Sequence, residues 1–173
     1  GTYCPNERTI TPFGCPPGKY CLRGEVTPRN CPEGTFSNQS LLTNVTECTS
    51  CPPGRFCDAA GLTAPSGQCN AGFYCVGGSF IANPVAQTFG TICTAGSYCP
   101  AGSIAPIACP AGTYGPIDGL GLASQCTPCT INTHCNRSGL IAPVGACEPG
   151  FYCLTGANRS AVFPADATGG PCL

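Results

Sequence analysis

The sequence predicts a small disulfide-rich protein, a tandem array of cysteine-rich repeats that forms an elongated rod with little regular secondary structure. Three observations carry that expectation. Eighteen of 173 residues are cysteine, above the roughly 8–10% that marks a disulfide scaffold. Glycine (24) and proline (19) make up a quarter of the chain, and charged residues only 9%. No long stretch is free of Gly, Pro and Cys, which disfavours a long amphipathic helix, and the aromatics are scattered rather than gathered into one core. Third, the cysteines recur at a fixed offset. Cys15, Cys21, Cys31, Cys48, Cys51, Cys57, Cys69 and Cys75 reappear, each 78 residues later, as Cys93, Cys99, Cys109, Cys126, Cys129, Cys135, Cys147 and Cys153. Self-similarity of this kind is the mark of a repeat architecture.

Residues 1–14 read as the end of a preceding unit, because Gly1-Thr2-Tyr3-Cys4 matches the second half of the short motif described below. Residues 15–92 form a first cysteine-rich block and residues 93–171 a second, and Cys172 opens a further unit at 172–173. The chain is therefore expected to be a segment of a longer array. Non-cysteine residues agree between the blocks: Gly61-Leu62-Thr63-Ala64-Pro65 matches Gly139-Leu140-Ile141-Ala142-Pro143, and Gly72-Phe73-Tyr74-Cys75 matches Gly150-Phe151-Tyr152-Cys153.

Within each block a short unit of the form C-x-x-G-x-Y-C recurs, plainest at Cys15-Pro16-Pro17-Gly18-Lys19-Tyr20-Cys21. Further copies start at Cys51, Cys69, Cys93 and Cys147, and a degenerate one at Cys129 has Asn132 for the glycine and His134 for the aromatic. An arm of the type G-x-x-[AT]-P follows, as in Gly102-Ser103-Ile104-Ala105-Pro106. Each block also holds one longer element, Cys31 to Cys51 and Cys109 to Cys129. Proline second and glycine fourth in Cys15-Pro16-Pro17-Gly18 fit a type I turn. Such a turn brings the two cysteines within bonding reach, with the aromatic lying across a disulfide. The arm is expected to be extended, with one small apolar side chain touching the neighbouring unit. Regular structure should be confined to strand pairs of two or three residues. Ordering costs roughly 1–2 kcal/mol per residue, and each bridge returns about 2–4 kcal/mol, so reduction should unfold the molecule.

Connectivity is not legible from cysteine spacing alone. If the long elements close on themselves, Cys31 with Cys48 and Cys109 with Cys126, six cysteines remain between them. These pair either as neighbours (Cys51–Cys57, Cys69–Cys75, Cys93–Cys99) or interlocked (Cys51–Cys69, Cys57–Cys75, Cys93–Cys99). Cys15, Cys21, Cys129, Cys135, Cys147 and Cys153 belong to units of the same type and are also expected to be oxidised.

Several function classes are disfavoured. A net charge of −1 with seven scattered basic residues gives no footprint for nucleic acid. No apolar run approaches the length of a bilayer span. The C-x-x-C pairs Cys48/Cys51 and Cys126/Cys129 resemble half-sites for zinc, but the repeat explains each, and no metal or cofactor is expected. His134 is the single histidine and stands where the first block has Phe56, which reads as a variant packing residue. The acids never fall as close pairs, so no catalytic dyad, triad or calcium loop can be drawn, and no enzyme is expected. The N-x-[ST] sequons at Asn38, Asn44, Asn136 and Asn158 are candidate glycosylation sites. None recurs at the equivalent place in the other block, so the repeat itself does not require them.

The element Cys109-Pro110-Ala111-Gly112-Thr113-Tyr114 through Cys126-Thr127-Pro128-Cys129 resembles the ephrin-receptor-like cysteine-rich repeat. It is more loosely similar to the first half of the modules in tumour-necrosis-factor receptors. The resemblance implies a tandem array of the EGF- and TNF-receptor-like kind, outside the cell, as in receptor ectodomains and in long surface or flagellar-hair proteins of protists and algae. Two functions follow as expectations. One is a structural component of an extracellular glycosylated filament, surface hair or wall, whose partners are copies of itself and attached glycans. The other is the stalk or ligand-binding part of a cell-surface receptor. Block-to-block regularity favours the first.

Overall fold

The structure, a computed structural model, describes residues 1–6, 8–85, 88–162 and 165–172. The chain divides into two compact units, one of Gly1–Asn70 with Cys75–Thr91, the other of Ala71–Tyr74 with Ile92–Leu173. The first carries β1 (Thr2–Tyr3), β2 (Phe13–Gly14), β3 (Lys19–Tyr20), β4 (Arg29–Asn30), β5 (Thr35–Phe36), β6 (Thr49–Ser50), β7 (Arg55–Phe56) and β8 (Gly67–Gln68). After β9 (Phe73–Cys75) and β10 (Gly90–Ile92), the second carries β11 (Ser97–Tyr98), β12 (Ile107–Ala108), β13 (Thr113–Tyr114), β14 (Thr127–Pro128), β15 (Thr133–His134), β16 (Gly145–Ala146), β17 (Phe151–Cys153) and β18 (Gly169–Pro171). One-turn 3₁₀ helices at Val45–Glu47 and Ala123–Gln125 interrupt the two long elements. This is a disulfide-rich fold of short antiparallel strand pairs.

Consecutive strands pair, and the register repeats with the sequence. Lys19 faces Asn30 in β3–β4 as Ser97 faces Ala108 in β11–β12. Thr35 faces Ser50 as Thr113 faces Pro128, and Arg55 faces Gln68 as Thr133 faces Ala146. In each hairpin the second strand runs directly into the first cysteine of the next unit, so pairing within a hairpin also fixes where that unit begins.

The turn glycine is the joint. Gly18 donates its N–H to Ser37 of the next unit (2.8 Å) and accepts from the N–H of Cys31 (2.9 Å). Gly34 does the same with Cys57 and Cys51, Gly96 with Gly115 and Cys109, and Gly112 with Cys135 and Cys129. Its conformation differs from the expected type I turn. The turn starts one residue later, with Lys19 N–H bonded to Pro16 O, and Gly18 takes φ 77°. Positive φ at the third position, after a proline, is the type II signature. The reason is stacking. A Cβ on Gly18 would lie 2.2 Å from the carbonyl oxygen of Gly61, two units on, and one on Gly96 would lie 2.5 Å from that of Gly139. Only glycine combines the left-handed conformation with that approach.

The arms also depart from expectation. They bend rather than run extended, and in the second block the arm residue that docks is Leu140 rather than a small side chain, a part that Leu42 and Leu120 play in the long elements. Leu42 O accepts from Cys21 N–H, Leu120 O from Cys99 N–H and Leu140 O from Gly115 N–H. The three leucines are buried against disulfides, with the tyrosine of the preceding unit closing each cluster: Tyr20 on Cys31, Leu42 and Cys48; Tyr98 on Cys109, Leu120 and Cys126; Tyr114 on Cys129, Cys135 and Leu140. Each ring therefore covers the next unit's bridge rather than its own. Burying one such leucine contributes about 1.5–3 kcal/mol, so each of these three junctions has its own small core.

Candidate functional site

The bridges follow the neighbour pattern. They are Cys15–Cys21, Cys31–Cys48, Cys51–Cys57 and Cys69–Cys75, then Cys93–Cys99, Cys109–Cys126, Cys129–Cys135 and Cys147–Cys153. The interlocked alternative does not form. In the long elements the second cysteine position is occupied by Ser37 and Gly115, which leaves Cys31 and Cys109 to reach the more distant partner. The four cysteines of the C-x-x-C pairs are all in bridges, so none offers a thiolate. Cys4 and Cys172 are outside any disulfide in this structure.

The sequon asparagines Asn38, Asn44, Asn136 and Asn158 are all exposed. Asn44 also caps the first 3₁₀ turn: its Oδ1 accepts from Thr46 N–H at 3.1 Å, which leaves its Nδ2 free of that role. His134 is 7% exposed, and its Nδ1 is buried without a hydrogen-bond partner among the described residues. It occupies the aromatic position of its unit, in β15.

Most acids are structural ties. Glu25 pairs with Arg29 at 2.6 Å and Asp166 with Arg159 at 3.5 Å. Asp118 accepts from Ala95 N–H (2.7 Å), Glu148 from Ser160 Oγ (2.7 Å) and Asp58 from Ser66 Oγ. Glu47 reaches back across the 3₁₀ turn to the N–H and hydroxyl of Thr43. The Thr43 hydroxyl first, and then its N–H, hold the Glu47 carboxyl below its ordinary value. Asp166 is lowered in the same way, chiefly by the Thr168 hydroxyl and N–H and less by Arg159. Glu7 lies outside the described residues. Glu33 makes no hydrogen bond or ion pair among the described residues.

Glu33 instead lines a groove of about 700 Å³ in the first unit, with Pro32, Ala60, Phe80 and Phe89. The two phenylalanine rings meet edge to face, 5.4 Å apart at 75°, and Phe80 remains 37% exposed. Backbone bonds hold them there. Ser79 O accepts from Cys57 N–H, and Phe89 O accepts from Val76 N–H. Thr35 and Ser50 also line it, no cluster of metal-ligating groups is found among the described residues, and its walls suit apolar surface with a cation at the rim. Sequence reasoning missed it. The available signal was the long gap from Cys75 to Cys93, which holds two phenylalanines; at the place of Phe80 the second block has Asn158.

A scan against protein-family models gives no match for this chain, and a search of curated proteins gives no relative.

Proposed function

We propose that this chain is a structural segment of an extracellular, glycosylated filament, surface hair or wall, built from repeats of the ephrin-receptor-like kind and without catalysis. Its disulfide density belongs to an oxidising compartment. The observation that carries the structural reading is the joint between units. The same pair of backbone bonds at Gly18, Gly34, Gly96 and Gly112 makes each unit the template for the next, the nearest-neighbour logic of repeat proteins. Low charge limits repulsion between packed copies, and glycans on the exposed Asn38, Asn44, Asn136 and Asn158 would keep such a surface hydrated. A second reading, the receptor stalk, is favoured by one observation: among the described residues the groove of Phe80 and Phe89 is found in the first block, where the second block has Asn158 in place of Phe80.

Immunogold labelling of intact cells, with isolation from shed fibres without detergent or reductant, tests the reading. The expected result is periodic label along a fibre. Label confined to a membrane, with recovery only in detergent, would favour the receptor. Mass shifts on enzymatic deglycosylation, which converts each occupied Asn to Asp, test the four sequons.

A further inference from the structure

We propose that the groove of Phe80 and Phe89 receives the Ile141-Ala142-Pro143-Val144 arm of a second copy of this chain, a proposal that rests on the filament reading. The groove presents two rings, Pro32 and Ala60 to solvent, with the Glu33 carboxylate beside them. The arm supplies the complement. Ile141 is 62% and Val144 49% exposed. The repeat does not require aliphatic side chains there, since the first block has Thr63 and Ser66 at the same positions, with Ser66 tied to Asp58. Pro143 restricts the backbone between the two side chains, so little order is lost on docking.

Within the second block, charge favours this arm over the other exposed aliphatics. Glu33 on the groove needs a cation. Arg137, exposed and four residues before Ile141, is in neither of the two ion pairs found among the described residues. The arm with Ile104 and Ile107 has no charged residue beside it, and Ile117 adjoins Asp118, which would repel Glu33. Groove and arm belong to different blocks, so every copy carries both halves of the contact.

The repeat itself supplies the test variants. Phe80→Asn carries the residue that the second block has at that position, and Ile141→Thr with Val144→Ser carries those of the first block, so both respect the local backbone. Native protein, isolated without reductant, is followed by analytical ultracentrifugation over a range of concentrations, with unfolding midpoints to confirm folding. Wild type is expected to self-associate. Each variant alone should associate about tenfold more weakly, the loss expected when an anchor side chain is removed. A mixture of the two should give a capped one-to-one dimer, because one retains the arm and the other the groove. Glu33→Arg should weaken association, and Arg137→Glu added to it should restore it. Association equal to wild type in both variants, a mixture that does not pair, or wild type that stays monomeric overturns the proposal. Recovery of the variants in normal fibres would overturn the docking contact while the filament reading stands; absence of wild type from any fibre would fail that reading itself.

Discussion

At Phe56 the first block closes its hairpin with an aromatic ring, and 78 residues later the second block places His134 in the same spot. Leu41 and Gly119 are a second such pair, Glu47 and Gln125 a third, and Phe80 and Asn158 a fourth. The strand registers, bridges and turn bonds around these pairs are the same in both blocks. What repeats is therefore the set of positions whose backbone bonds reach another unit. What differs lies at the surface or in a single side chain, where a change does not travel. The two blocks serve as internal controls for each other, and each substitution from one to the other isolates one physical effect.

The largest expected effect tests the shared part. Removing the long bridge, by Cys31→Ala with Cys48→Ala or by Cys109→Ala with Cys126→Ala, should cost about 3 kcal/mol in either block, the loop-closure value for a span of this length. Denaturant midpoints should fall equally. A bridge that matters in one block only would break the equivalence of the two cores.

Next comes the buried histidine. His134→Phe removes a buried Nδ1 without a partner and should stabilise by about 1–3 kcal/mol, the usual penalty of such a group. Phe56→His should destabilise by less, because Phe56 is half-buried and an imidazole there keeps access to water. Thermal unfolding of the two variants reads both signs, and a destabilised His134→Phe would mean that the imidazole has a role that packing does not describe.

These pairs also mark how far the fold was legible. The 78-residue offset and the C-x-x-G-x-Y-C grammar predicted the repeats, the disulfide scaffold and the absence of long elements, because cysteine spacing and glycine placement are local. The interlocked alternative stayed open because spacing alone allows both pairings; the structure joins Cys51 to Cys57 and Cys69 to Cys75, each within its own turn. The type II turn was missed for a similar reason. Its cause, the Gly61 carbonyl under Gly18, lies more than forty residues away. The candidate groove was hidden because its residues come from three successive units.

Leu41 sharpens the comparison at a smaller scale. It holds φ 68°, and its N–H bonds to Cys15 O as Gly119 N–H bonds to Cys93 O. The left-handed conformation costs a leucine about 1–2 kcal/mol, part of which glycine returns through its freer unfolded chain. Leu41→Gly should therefore stabilise by less than about 1 kcal/mol, whereas Gly119→Leu should destabilise. Equal and opposite midpoints are not expected, because a side chain at Gly119 also meets Ile92 at 3.3 Å.

The smallest effect concerns pH. Glu47 and Gln125 do the same work: Glu47 accepts from Thr43 across its 3₁₀ turn, and Gln125 accepts from the N–H groups of Gly121 (2.6 Å) and Leu122 (2.9 Å). Only one of them titrates. The Thr43 bonds favour the carboxylate, so the folded pKa of Glu47 lies below its unfolded value. A depressed carboxyl contributes stability that is complete above the unfolded pKa and is lost as pH falls through the folded one. The first block should thus carry an acid-sensitive turn and the second an acid-insensitive one. Glu47→Gln should leave the unfolding midpoint at neutral pH close to wild type and flatten its decline below the ordinary glutamate range. Gln125→Glu should add a decline in that range. Asp166, lowered by Thr168, contributes an acid loss of its own, so the quantity to read is the difference between each variant and wild type across the titration. Parallel profiles for wild type and Glu47→Gln would show that the carboxylate and the amide are interchangeable at that turn at every pH, and that the two blocks do not differ there.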